Sequence, residues 1–172
     1  MMTARPGFNE IIKHGFLAGA AGGLAEIVWV SCYAVAAGGN AASLARGVTT
    51  AAGVTALLPD APIMMGVTVH MALAVLLGVA VACLWQAMPR RDSVSLYGVT
   101  LTALVAVWAA NFFVVLPVVD PAFVHIVPYS VSLMSKLLFG LAAAETLRRC
   151  AFAQELEAAA VRAASAKPHW GA

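Results

Sequence analysis

Four stretches of the 172-residue chain, roughly 14–37, 62–86, 96–116 and 129–147, run for about 20 residues with little besides Leu, Val, Ala and Gly. A helix rises 1.5 Å per residue, so about 20 such residues match the ~30 Å hydrocarbon core of a bilayer. None of the stretches alternates apolar with polar residues as a membrane β-barrel strand does. The chain therefore reads as all-α: an integral membrane four-helix bundle over residues 1–147, followed by a helical tail over 148–172. Composition agrees, with 62% hydrophobic and 10% charged residues where an ordinary soluble domain has about 25% charged.

Basic residues set the expected orientation. Arg5 and Lys13 precede the first span, Arg90 and Arg91 join the second to the third, and Arg148 and Arg149 follow the fourth. All six fall on one side of a four-span chain, whereas the connections 38–61 and 117–128 carry Arg46 with Asp60 and Asp120. The positive-inside rule places both termini in the cytoplasm of a bacterial inner membrane. Span one is read as uncleaved rather than as a signal peptide, because it is long and holds a glutamate.

The first outer connection, 38–61, contains Leu44, Val48, Ala51 and Leu58 at helical intervals, with Arg46, Thr49 and Thr50 elsewhere. That pattern suggests a short outer interfacial helix, with a re-entrant helix or an irregular lid over 41–58 as alternatives. Pro59 and Pro62 mark its end and the start of the next span. Three prolines in PVVDPAFVHIVPY prevent a continuous helix there and leave a cap over the outer mouth. Tyr33, Tyr129, Trp85 and Tyr97 lie near span ends as interfacial anchors. The tail, with Arg148, Arg149, Glu155, Glu157 and Arg162 among alanines, reads as a solvated helix extension. Cys32, Cys83 and Cys150 fall too far apart to pair and sit in no metal-binding spacing.

Each span contains one strongly polar residue. Converted at 1.5 Å per residue, Glu26 and His70 lie ~12 Å below the outer face, Asn111 ~8 Å and Lys136 ~10 Å. Charges in the bilayer core cost about 2.5–3.5 kcal/mol each on insertion scales, so one shared interior is the economical arrangement. Glu26 and Lys136 form its expected ion pair. Gly15, Gly19, Gly22 and Gly23 lie on or beside the Glu26 face, Gly66, Ala74 and Gly78 beside His70, and Ser132 and Gly140 beside Lys136. Small residues at such intervals are where membrane helices approach closely.

This buried polar cluster of Glu26, His70, Asn111 and Lys136 admits more than one role. It can hold helices in register within a non-enzymatic accessory or oligomeric component of a membrane assembly. The alternative is a small proton or solute carrier or channel with Glu26 and His70 as carriers and Lys136 tuning them. A second alternative is a haem- or copper-binding electron-transfer subunit, for which His70 and His125, a possible outer-mouth ligand, form the outer histidine pair. No cofactor is otherwise expected. Ser132 and Ser135 near His70 belong to no nucleophile-elbow or zinc motif, which argues against an enzyme. With no phosphate-cradling Gly loop and no basic stripe, nucleic acid is not an expected partner; the bilayer, a second copy or a larger membrane complex is.

Gly15-Phe16-Leu17-Ala18-Gly19 opening span one, Val69-His70-Met71 with Gly78 in span two, Trp108 followed by Pro117 in span three, and Phe139-Gly140 in span four form a further pattern. Over residues 15–147 it resembles a family of small four-helix bacterial inner-membrane proteins of unknown function. The resemblance implies a membrane module accessory to a larger respiratory or transport assembly, and it supplies no catalytic residue. Where such proteins carry a histidine in the last helix this chain has Lys136, which weakens a paired-histidine cofactor site.

Overall fold

The computed structural model describes residues 7–88, 95–122 and 127–165. Within them the chain is helical: α1 (Phe8–Ala36), α2 (Ala41–Ala51), α3 (Pro62–Ala87), α4 (Leu96–Ala110), a π-helical turn (Asn111–Val115), α5 (Leu116–Val119) and α6 (Tyr129–Ser165). Four helices are long and apolar enough to cross a membrane: Phe8–Ala36, Pro62–Ala87, the continuous Leu96–Val119, and Tyr129–Ser165.

The ends of these elements follow local chemistry. α1 begins six residues before the apolar run starts, because Glu10 and Lys13 are tolerated on a first turn that is still exposed. It stops at Gly38, whose φ of +69° only glycine adopts without cost, while the Gly39 amide donates back to the Ala34 carbonyl. Asn40 caps α2, its side-chain oxygen accepting from the Ala42 amide at 2.8 Å. Pro62 opens α3 where no backbone donor is needed.

The third span does not end at Pro117, as the proline count suggests. Pro117 has no N–H and crowds the preceding turn. The chain widens there, with the Leu116 amide reaching the Asn111 carbonyl five residues back, and helix resumes to Val119. The fourth span and the tail are one helix with no break at residue 147.

α1 is the central helix. It packs along α3 on one side and α6 on the other; α4 packs along α6 and touches α3 only lightly. Ala18, Ala74, Val81, Leu104, Phe139 and Ala143 form a core to which all four long helices contribute. Close approach depends on glycine at the α1–α3 crossing: a methyl on Gly15 would stand 2.6 Å from the Val79 Cα, and one on Gly78 would enter the Gly19 backbone. On the α6 side, a methyl on Gly22 would stand 2.8 Å from the Phe139 ring.

α2 lies against the start of α3. Its Thr49 hydroxyl, fully buried, donates to the Pro62 carbonyl at 2.6 Å, and Gly66 lets the Ala45 backbone in. At the opposite end of the molecule, the start of α1 meets the end of α3 and the middle of α6 around a cavity of about 40 Å³ lined by His14, Gln86 and Gln154. Gln154 there reaches Glu10 at 3.5 Å.

Candidate functional site: a buried acid between two basic side chains

Glu26 is 3% exposed, at the C-terminal end of the Gly15–Gly19–Gly22–Gly23 face of α1. Because glycines precede it on that face, the α3 backbone and the Phe139 ring of α6 come close on its two sides and cover the carboxylate. Lys136 reaches it from α6, Nζ to Oε1 at 2.6 Å. Ser135, next to Lys136, shares its one hydroxyl hydrogen between the same oxygen at 3.2 Å and the Ser132 carbonyl at 2.8 Å. An ammonium and a hydroxyl therefore compensate one carboxylate oxygen, which is what a buried charge requires.

The second carboxylate oxygen faces α3. His70 Nε2 stands 3.7 Å from Oε2, and that nitrogen is buried without a hydrogen-bond partner among the described residues. The imidazole also interacts with the Gly23 backbone. Glu26 is thus a buried acid flanked by an imidazole and an ammonium, whose side chains remain 27% and 21% exposed.

Three of the four expected members of the cluster meet. Asn111 does not join them: among the described residues its side chain makes no hydrogen bond to Glu26, His70 or Lys136. Its helix lies along α6 and not along α1, and Asn111 opens the π turn. Depth along a span is fixed by counting residues; direction around the helix axis depends on which neighbour the helix packs against. His125, like Arg5, Arg90, Arg91 and His169, lies outside the described residues. Among the described residues, no three of His, Cys, Asp or Glu gather as a metal ligand set.

Around the acid, α4 joins α6 through a hydrogen bond the sequence did not announce. Trp108 Nε1 donates to the Ser132 hydroxyl at 2.6 Å, and its ring meets Phe112, Phe113 and Tyr129 at 5.7, 5.6 and 6.5 Å between centroids. Trp29 on α1 donates to the Val131 carbonyl at 3.0 Å. Ser132, Ser135 and Lys136 share one face at i, i+3, i+4, which was the available signal for the two serines.

A second ionic group ties α4 to α6 at the other end. Glu145 accepts from the Tyr97 hydroxyl at 2.5 Å, from Arg148 at 2.7 and 2.8 Å, and from Arg149 at 2.7 Å. Tyr97, near the start of α4, is therefore bonded to α6. Cys32 and Cys83 are exposed and Cys150 is half-buried, all three as free thiols. Comparison of the chain with protein families, with curated proteins and with solved structures gives no match.

Proposed function

We propose that the chain is a non-enzymatic, four-span protein of a bacterial inner membrane, with both termini cytoplasmic, that serves as a component of a helical membrane assembly. In this reading the Glu26–Lys136 pair is a latch that fixes α6 on α1 and so presents α4 to a partner.

One observation carries the assembly reading. Gly15, Gly19, Gly22, Gly23, Gly66, Gly78 and Gly140 each have a neighbour pressed against them within the chain, but Gly98 meets no other helix among the described residues, its nearest neighbour being Ser95 Cβ of its own N-terminal turn at 3.7 Å. Gly98, Thr102, Ala106 and Ala110 recur every fourth residue on α4, and all four are exposed. Three of them line a groove of about 360 Å³ with Leu84 of α3 and Met88 just past its end, where α3 and α4 hardly touch. A small-residue ridge beside an apolar groove fits a spanning helix at close range.

Purification in a mild detergent tests this. The expected result is a particle heavier than the 17.7 kDa chain, reduced to the monomer by Gly98→Leu or Ala106→Leu with thermal unfolding unchanged. A wild-type monomer without co-purifying subunits removes the assembly reading.

The carrier reading draws on the partial exposure of His70 and Lys136. Against it, Ala18, Leu104, Phe139 and Ala143, all fully buried, occupy the core of the four helices and give a proton no polar group to occupy. Proton or solute flux in proteoliposomes that falls in Glu26→Gln would favour the carrier; unchanged flux removes it. For haem, the absence of a Soret band after haem supplementation is decisive.

A further inference from the structure

We infer that Glu26 and His70 form a binding site for one exchangeable proton, whose arrival turns the carboxylate from Lys136 toward His70. The inference goes beyond the assembly reading and does not depend on it.

The geometry is that of an unfinished hydrogen bond. His70 Nε2 is buried, has no hydrogen-bond partner among the described residues, and points at a carboxylate oxygen 3.7 Å away. A charge-assisted N–H···O bond closes at about 2.8 Å, so a shift of about 0.9 Å completes it. That shift lies within the reach of a side chain which is itself 27% exposed. No cavity is required, because the ligand is a proton.

Each element packed against the site contributes definite groups. α1 supplies the Glu26 carboxylate; α6 supplies the Lys136 ammonium and the Ser135 hydroxyl; α3 supplies the imidazole. α2, against α3, carries Arg46, which is exposed, and α4 faces the site with the neutral Trp108 through Ser132. With His70 neutral, the acid and the ammonium balance. One added proton raises the group to a net charge of +1 whether it rests on the imidazole or on the carboxylate, and the titration belongs to the pair rather than to either residue. On the imidazole it makes Nε2–H a cationic donor competing with Lys136 for Glu26. On the carboxylate it removes the anion that Lys136 is paired with. Either way an N–H or O–H bond forms as an O–H bond of hydronium from the aqueous phase breaks and leaves water, and the hold of Lys136 on Glu26 weakens.

Nitrogen-15 NMR of the full chain in lipid nanodiscs reads both ends of this coupling. Across about pH 5 to 8, the range in which histidine changes charge, the imidazole of His70 and the Nζ of Lys136 should shift in one step with a common midpoint. In His70→Gln, which removes the ring without stranding a charge, the Lys136 step should be lost. A His70 signal that stays flat over this range, a Lys136 signal that does not move with it, or a Lys136 step that survives in His70→Gln each overturns the inference. Because the measurement uses isolated protein, it fails or succeeds independently of any partner.

Discussion

Replacing Lys136 by Met leaves the Glu26 carboxylate with one hydroxyl and an unfinished imidazole contact in a site that is 3% exposed. An uncompensated buried charge costs about 3–5 kcal/mol, and Glu26→Gln leaves the ammonium without its counter-charge at a smaller cost, since the Lys136 side chain is 21% exposed. The double variant Glu26→Gln/Lys136→Met should recover most of that loss, because neither charge is left alone. Unfolding of the four proteins by denaturant in detergent micelles gives the coupling directly; additive losses in the double variant would show that the two residues do not act as a pair. The pair was legible in the sequence because a carboxylate and an ammonium at one depth have few affordable alternatives in lipid. For Asn111 the same arithmetic gives a depth and no azimuth, and among the described residues no hydrogen bond joins its amide to the other three.

Among the elements, the difference between the glycines packed against a neighbouring helix and Gly98, which meets only its own helix among the described residues, gives a contrast testable within a single chain. Gly78 faces the Gly19 backbone, which has no side chain to move aside, so Gly78→Leu should separate α1 from α3 and destabilise the chain by about 1–3 kcal/mol or more. Gly98→Leu meets no other helix among the described residues and should leave thermal unfolding of the isolated chain within about 0.5 kcal/mol. Equal losses at both positions would contradict the packing described for α4. Element boundaries were legible where punctuation is local, at Pro62 and at Gly38 with Gly39. The π turn was not, because the sequence shows Pro117 and not whether the preceding turn widens to accept it.

For the molecule as a whole, orientation in the membrane is open to chemistry on its native cysteines. Cys32 lies exposed near the end of α1, and Cys150 lies on α6 beyond the apolar run, where burial pushes its thiol above the ordinary range. In sealed vesicles with Cys83→Ser, a membrane-impermeant maleimide added from the outer side should label Cys32 and spare Cys150. After permeabilisation Cys150 should react slowly near neutral pH. Its rate should then climb about tenfold per pH unit, because only the thiolate reacts and a raised pKa keeps that fraction small until the solution is more alkaline. Labelling of Cys150 in intact vesicles would invert the orientation. The basic residues that predict this topology were legible at once. The central position of α1 was not: four apolar spans of similar composition give no order of contact, and only the glycine-dense face of α1 hinted at two close neighbours.

The unbroken length of α6 has a mechanical consequence. From Lys136 to Ser165 the helix extends about 43 Å at 1.5 Å per residue, with no glycine or proline after Gly140 to bend it. The residue that grips the buried acid and the far tip outside the apolar layer belong to one stiff lever. Were a change at the grip to tilt α6 by about 10°, the tip would travel about 7.5 Å, so a displacement too small to notice at the carboxylate would be plain to anything that touched the far end.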